Sequence, residues 1–205
     1  MTPVAAALLL LALATPAFAH HVGAYTPRDN EVTTNFKEIK FSVQAKKFEV
    51  ALRLFDQGAL RTAMREKPAT LPAGLERGTR AALQAGDAAE VERHLMIFFA
   101  SLSRDLALEA DRQLADATLA RQARAKTADR FLEAIWRYYN LVDFAVASRD
   151  NKTSTALRLA FDEAEGYAKT TSASEADKLR GPLRRIAQLL STLIDTSSAL
   201  PRRDS

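Results

Sequence analysis

The sequence predicts an all-α protein, an antiparallel bundle of about seven helices behind a cleaved signal peptide. Three observations predict it. No proline occurs between Pro72 and Pro182, and no glycine between Gly86 and Gly166; long stretches free of both breakers suit helices. Apolar residues recur in steps of three and four, the spacing of one helix face. Seven Gly and seven Pro, beside abundant Ala, Leu, Arg and Glu, argue against an all-β chain.

The elements follow in order. Val4 to Ala14 is apolar throughout, and Ala17-Phe18-Ala19 has the form of a signal-peptidase junction. No Lys or Arg precedes that run, so the α-amino group alone charges its start. Residues 1–19 are therefore expected to be a signal peptide, and the run is too short to span a bilayer. The Ala- and Arg-rich composition points to a GC-rich bacterium, hence to the periplasm. Residues 20–29, holding Gly23 and Pro27, form an irregular leader. The domain proper is 30–198, with a tail at 199–205.

Within it the predicted helices are 30–45, 47–66, 73–85, 88–115, 119–148, 152–170 and 174–197. Val32, Phe36, Ile39 and Val43 mark the first apolar face. Phe48, Leu52 and Phe55 mark the second, although Phe48, Val50, Leu52 and Leu54 also alternate. Lys67-Pro68 ends it, because the ring disfavours helical backbone at the preceding residue. Asp87 with Glu90, and Ser172 with Glu175, have capping-box spacing. Val91, Leu95, Phe98, Leu102 and Leu106 form one stripe; Phe131, Ile135, Tyr138 and Val142 form the next. Leu179, Leu183, Ile186, Leu190 and Leu193 line the last helix, where Gly181-Pro182 is expected to kink it or split off its first turns. Ala51–Asp56 is echoed with one insertion by Ala156–Asp162, as two common helical strings or as duplicated hairpins.

Composition excludes several chemistries. At 47% hydrophobic and 26% charged residues the chain is globular, not disordered. It has no cysteine, which removes disulfides, thiol nucleophiles, Cys-ligated zinc and iron–sulfur clusters. The net charge is +4, but the basic residues are dispersed, unlike a nucleic-acid footprint. There is no G-x-S-x-G, Walker A or G-x-G-x-x-G sequence. No catalytic constellation is expected.

The three histidines carry the candidate metal chemistry. Cleavage after Ala19 would leave His20 first and His21 second. A free α-amine, titrating near ~8, can give its proton up to a metal. With its own imidazole it forms a chelate, and a second imidazole completes a nitrogen set suited to Cu(II). His21 or His94 would supply that second ligand. The alternative is a histidine-rich junction in a mobile leader. His94 lies four residues after Glu90, which is either half of a helical-bundle metal site or a surface contact. Met96 is expected in the core. Asp162, Glu163, Glu165 and Tyr167, and the pair Asp105 and Glu109, are charge runs that most often face solvent. Trp136, Tyr139 and Asp143 share a face; left exposed, Trp136 and Tyr139 would be a partner surface, and buried they would widen the core.

The His20 terminus resembles the histidine brace of copper oxygenases and of some periplasmic copper carriers. Only His20 matches that motif by position, and the oxygenase members are β-sandwiches, so their activity does not carry over. The stretch FLEAIWRYYNLVDFAVASRD, Phe131 to Asp150, with its continuation into the next helix, resembles helical modules of bacterial iron-permease and imelysin-type uptake proteins. It covers about a fifth of the chain. The imelysin metal pair, a His with Glu three residues on, is absent, since Ile97 stands there after His94. The resemblance implies periplasmic metal handling. The expected function is thus an accessory, non-catalytic one, with copper held through His20. The alternative is an interaction module for an envelope protein partner, without nucleic acid or membrane insertion.

Overall fold

The computed structural model describes residues 29–67, 69–116, 118, 121–169 and 178–199 (of 121–125, the backbone alone). Eight helices occupy them: α1 Glu31–Gln44, α2 Phe48–Gln57, α3 Ala59–Glu66, α4 Leu75–Ala85, α5 Ala88–Leu114, α6 Arg121–Arg149, α7 Asn151–Lys169 and α8 Arg180–Ser198. No strand occurs among the described residues, and none of their helices is long and apolar enough to cross a membrane. The signal-peptide run, the leader and the capping box at Ser172 lie outside them.

Helices α5 to α8 close a ring. α5 packs on α6, α6 on α7, α7 on α8, and α8 back on α5. This is a four-helix bundle, in which a single residue, Asp150, joins α6 to α7. The smaller helices α1 to α4 pack on one another and reach the bundle through α4 and α1 against α5. The first half of α5 is therefore enclosed from both sides. Every residue from Leu95 to Ser103 is buried, which is the signature of a helix without a solvent face.

Helix starts follow their caps. The Asp87 carboxylate accepts from the Glu90 N–H at 3.0 Å, as the spacing predicts. The reciprocal half of the box is absent because Glu90 turns to Arg93 instead. α1 carries a full box that the sequence reading missed. Asn30 Oδ1 accepts from the Thr33 N–H, and Thr33 Oγ1 from the Asn30 N–H, both at 2.9 Å. α8 begins at Arg180, so Pro182 falls in its first turn, where a missing N–H leaves no intrahelical bond unmade.

One expectation needs correction. The single helix predicted over 47–66 is two helices, broken at Gly58, whose backbone is extended. The side chain of Asn35 in α1 enters the break. Its amide donates to Leu54 O at 3.0 Å, and its Oδ1 accepts from the Leu60 N–H at 3.1 Å. It thereby satisfies one orphan group on each side of the break. A Cβ on Gly58 would collide with Asn35 and with the Leu54 carbonyl. The break is closed on its other side by ion pairs. Asp56 accepts from Arg61 at 2.7 Å and from Arg80 at 2.9 Å, and Arg61 also reaches Glu76.

Candidate functional site

His20 and His21 lie outside the described residues, so only His94 of the candidate ligands can be placed. It sits on α5 facing α4, with its side chain 12% exposed. A Cβ on Gly78 would come within 2.9 Å of its Cε1, so only glycine leaves room for the ring. Nε2 lies 3.0 Å from the Arg93 guanidinium and 3.8 Å from Glu90. Nδ1 is buried without a hydrogen-bond partner. Burial first, then the Arg93 charge, pushes its pKa down to about 4, against the pull of Glu90 and Asp87. Glu90 is already committed to Arg93, whose other arm donates to Ser197 O at 2.6 Å. The trio is a strut between α4, α5 and α8. Among the described residues no group of three or more metal-ligating side chains is assembled.

The other carboxylates sort the same way. Glu163 pairs with Arg185 and Glu165 with Lys169, at 2.6 and 3.3 Å. Asp105 pairs with Arg104, and Glu109 with Arg112, rather than with each other. Met96 is fully buried, as expected of core filler.

Tyr139 presents no surface, and Trp136 is half-buried rather than exposed. Tyr139 is 0% exposed, and Trp136 packs edge-on to Phe161 of α7 with ring centroids 5.0 Å apart. Tyr139 lies 5.6 Å from the same ring. The condition for a docking face, exposure, is unmet, and the broad buried face is what forms. Asp143, one turn on, accepts from Ser154 Oγ at 3.2 Å and from the Arg158 guanidinium. Burial, with the nearby Asp143 carboxylate, pushes the Tyr139 phenol above its ordinary pKa. It stays protonated, a structural group in a closed seam.

The open feature lies elsewhere, between α1 and α6 over the start of α5. A groove of about 600 Å³ runs there. Phe36, Val43, Phe48, Val91, Leu95, Leu141, Val142 and Ala145 make it mainly apolar, with Lys40, Gln44, Lys46 and Glu92 as its polar members. Its geometry follows from the helix directions. Phe36 of α1 meets Phe99 of α5 edge-on, and Phe99 packs at a tilt on Tyr138 of α6. The Asn30 amide donates to Tyr138 Oη at 3.2 Å, so α1 and α6 meet at that end. Beyond it they part, and the groove is the gap. Phe144, one residue from the groove-lining Ala145, is 75% exposed; Phe41, next to Lys40, is 68% exposed. Both stand off the apolar stripes of their helices and outside the groove lining.

In comparisons with known proteins, no family model, no curated protein and no solved structure matches this chain.

Proposed function

We propose that this protein is an exported, non-catalytic binding module whose working surface is the α1–α5–α6 groove. The observation that carries the reading is the groove itself, a concave, mainly apolar surface walled by α1, α5 and α6. Its volume lies within the range of about 300–1,000 Å³ typical of ligand pockets. Export is supported by the apolar run Val4–Ala14 and the Ala17-Phe18-Ala19 junction. This is the interaction-module alternative with its surface moved from Trp136 and Tyr139 to the groove. The copper reading rests on His20 and His21; His94, held between Arg93 and Gly78, adds little to it.

The test is site-specific photo-crosslinking in the exporting cell. A benzophenone amino acid at Gln44, exposed on the groove lining, should capture a bound molecule. The same probe at Leu159, 63% exposed on α7, should not. Equal labelling at both positions, or none at Gln44, would refute the assignment of the groove.

A further inference from the structure

Each of the two outer walls of the groove carries an exposed ring just outside the lining. On α1, Lys40 and Gln44 line the groove, and Phe41 stands one residue from the first and three from the second. On α6, Leu141 and Ala145 line it, and Phe144 stands three residues from the first and one from the second. A step of three sets side chains next to one another on a helix surface, so each ring neighbours the lining on its solvent side. Phe144 and Phe41 are also the two most exposed large apolar side chains among the described residues. Single exposed apolar residues are ordinary on a protein surface. Two beside one apolar groove make a patch, and such patches mark interaction sites.

Size narrows what covers this patch. A small molecule filling the groove would leave both rings in water. A helix is about 10–12 Å across, and over the ~10 Å from Ala88 to Leu95 it fills more than the 600 Å³ available. Filling the groove and covering the rings takes a protein surface with a protruding side chain. The chain has such a surface itself, because one patch holds both the socket and the ring. Its charges meet the condition for docking on itself. A two-fold contact sets a patch against its own copy, so a patch of one sign repels itself. This one carries both signs, Lys40 and Lys46 with Glu92, and none of the three is ion-paired among the described residues. Across a two-fold axis the lysines of one copy face the Glu92 of the other.

Resting on the groove as binding surface, we propose that its occupant is a second copy of this chain. The pair is isologous: Phe144 of each copy seats in the groove of the other, and Phe41 is covered at the rim. Area sets the strength of the contact. At 75% and 68% exposure the four rings of a pair supply roughly 400–700 Å², since an aromatic side chain buries about 150–250 Å². With the groove walls the total is on the order of 1,000 Å², below the size of standard stable interfaces. The pair is therefore weak and reversible.

The experiment is sedimentation velocity of the full chain over a wide range of concentration. A reversible shift from the chain mass to twice that mass is expected. Phe144→Ser removes the ring, and Ala89→Trp, at an exposed lining position, blocks the socket. Each should weaken the dimer roughly tenfold or more, as loss of a central aromatic contact does, with an unchanged circular-dichroism spectrum. Leu159→Ser, at an exposed position on α7, should leave it unaltered. A monomer at every concentration would overturn the proposal. So would a dimer that survives both groove variants, or one that Leu159→Ser abolishes. If the chain stays monomeric while the benzophenone at Gln44 captures another molecule, the binding-module reading stands and self-docking does not. A Gln44 adduct at twice the chain mass supports both.

Discussion

Two clefts between helices of this protein have opposite fates. Between α6 and α7, Trp136, Tyr139 and Phe161 fill the space, and Asp143, Ser154 and Arg158 seal the rim. Between α1 and α6 the space stays open, while Phe41 and Phe144 point away from any core. Both clefts are built from aromatic and aliphatic side chains on long helices. The difference is distance between the walls. α6 and α7 are joined by a single residue, Asp150, and pack along their length. α1 is tied to α6 at Asn30 and Tyr138, and four helices, α2 to α5, lie between the two in the chain. An aromatic helix face is therefore core or binding surface according to what the topology sets opposite it. Composition alone does not decide.

The comparison can be broken at the seam first. Tyr139→Ala removes a fully buried ring, and large-to-small aromatic changes in cores cost about 3–5 kcal/mol. Chemical denaturation should report a loss of that size.

A second closed junction titrates. Burial depresses the folded-state pKa of His94 to about 4, against its ordinary value of 6.5. Above 6.5 the imidazole is neutral in both states and contributes no pH dependence. As pH falls from 6.5 to 4 the unfolded chain takes up a proton that the folded chain refuses, so stability falls. The full effect is roughly 3 kcal/mol at 1.36 kcal/mol per pKa unit. Unfolding measured across that window should show the slope in the wild type and a flatter profile in His94→Gln. Equal slopes would mean that other groups set the acid limit.

At the groove the signs reverse. Lys46→Gly relieves a left-handed lysine and should raise stability by about 1 kcal/mol. A thermal melt shifted upward by a few degrees would show that Lys46, at φ 57°, carries that strain. Phe144→Ser should be the mildest, within about 0.5 kcal/mol, because the ring is largely solvated. A large loss there would mean that the ring is packed after all.

The four long helices were legible because their stripes are long and uninterrupted. The stripe from Val91 to Leu106 predicts α5, and Asp87 fixes its start. The break at Gly58 was not legible, since its cause is Asn35, nineteen residues from the Leu54 carbonyl it binds. The α1 box was readable in Asn30 and Thr33 and was passed over. Of the candidate residues, His94 was placed on the correct helix flank, but its Gly78 contact is tertiary and invisible in a linear reading. The aromatic face at Trp136 was visible as a face; its burial depends on Phe161 across the α6–α7 turn. The groove left no such trace, because its walls come from three helices far apart in sequence and the exposed phenylalanines at 41 and 144 lie outside its lining.

The most direct test of the central claim, that the groove is the working surface, is native mass spectrometry of the protein isolated gently from the cells that make it. Wild type is compared with Ala89→Trp and with Ala145→Trp, which fill the groove from its two sides. The account expects a bound mass on the wild type that both folded variants lack. The same adduct on all three proteins, or none on the wild type, would contradict it.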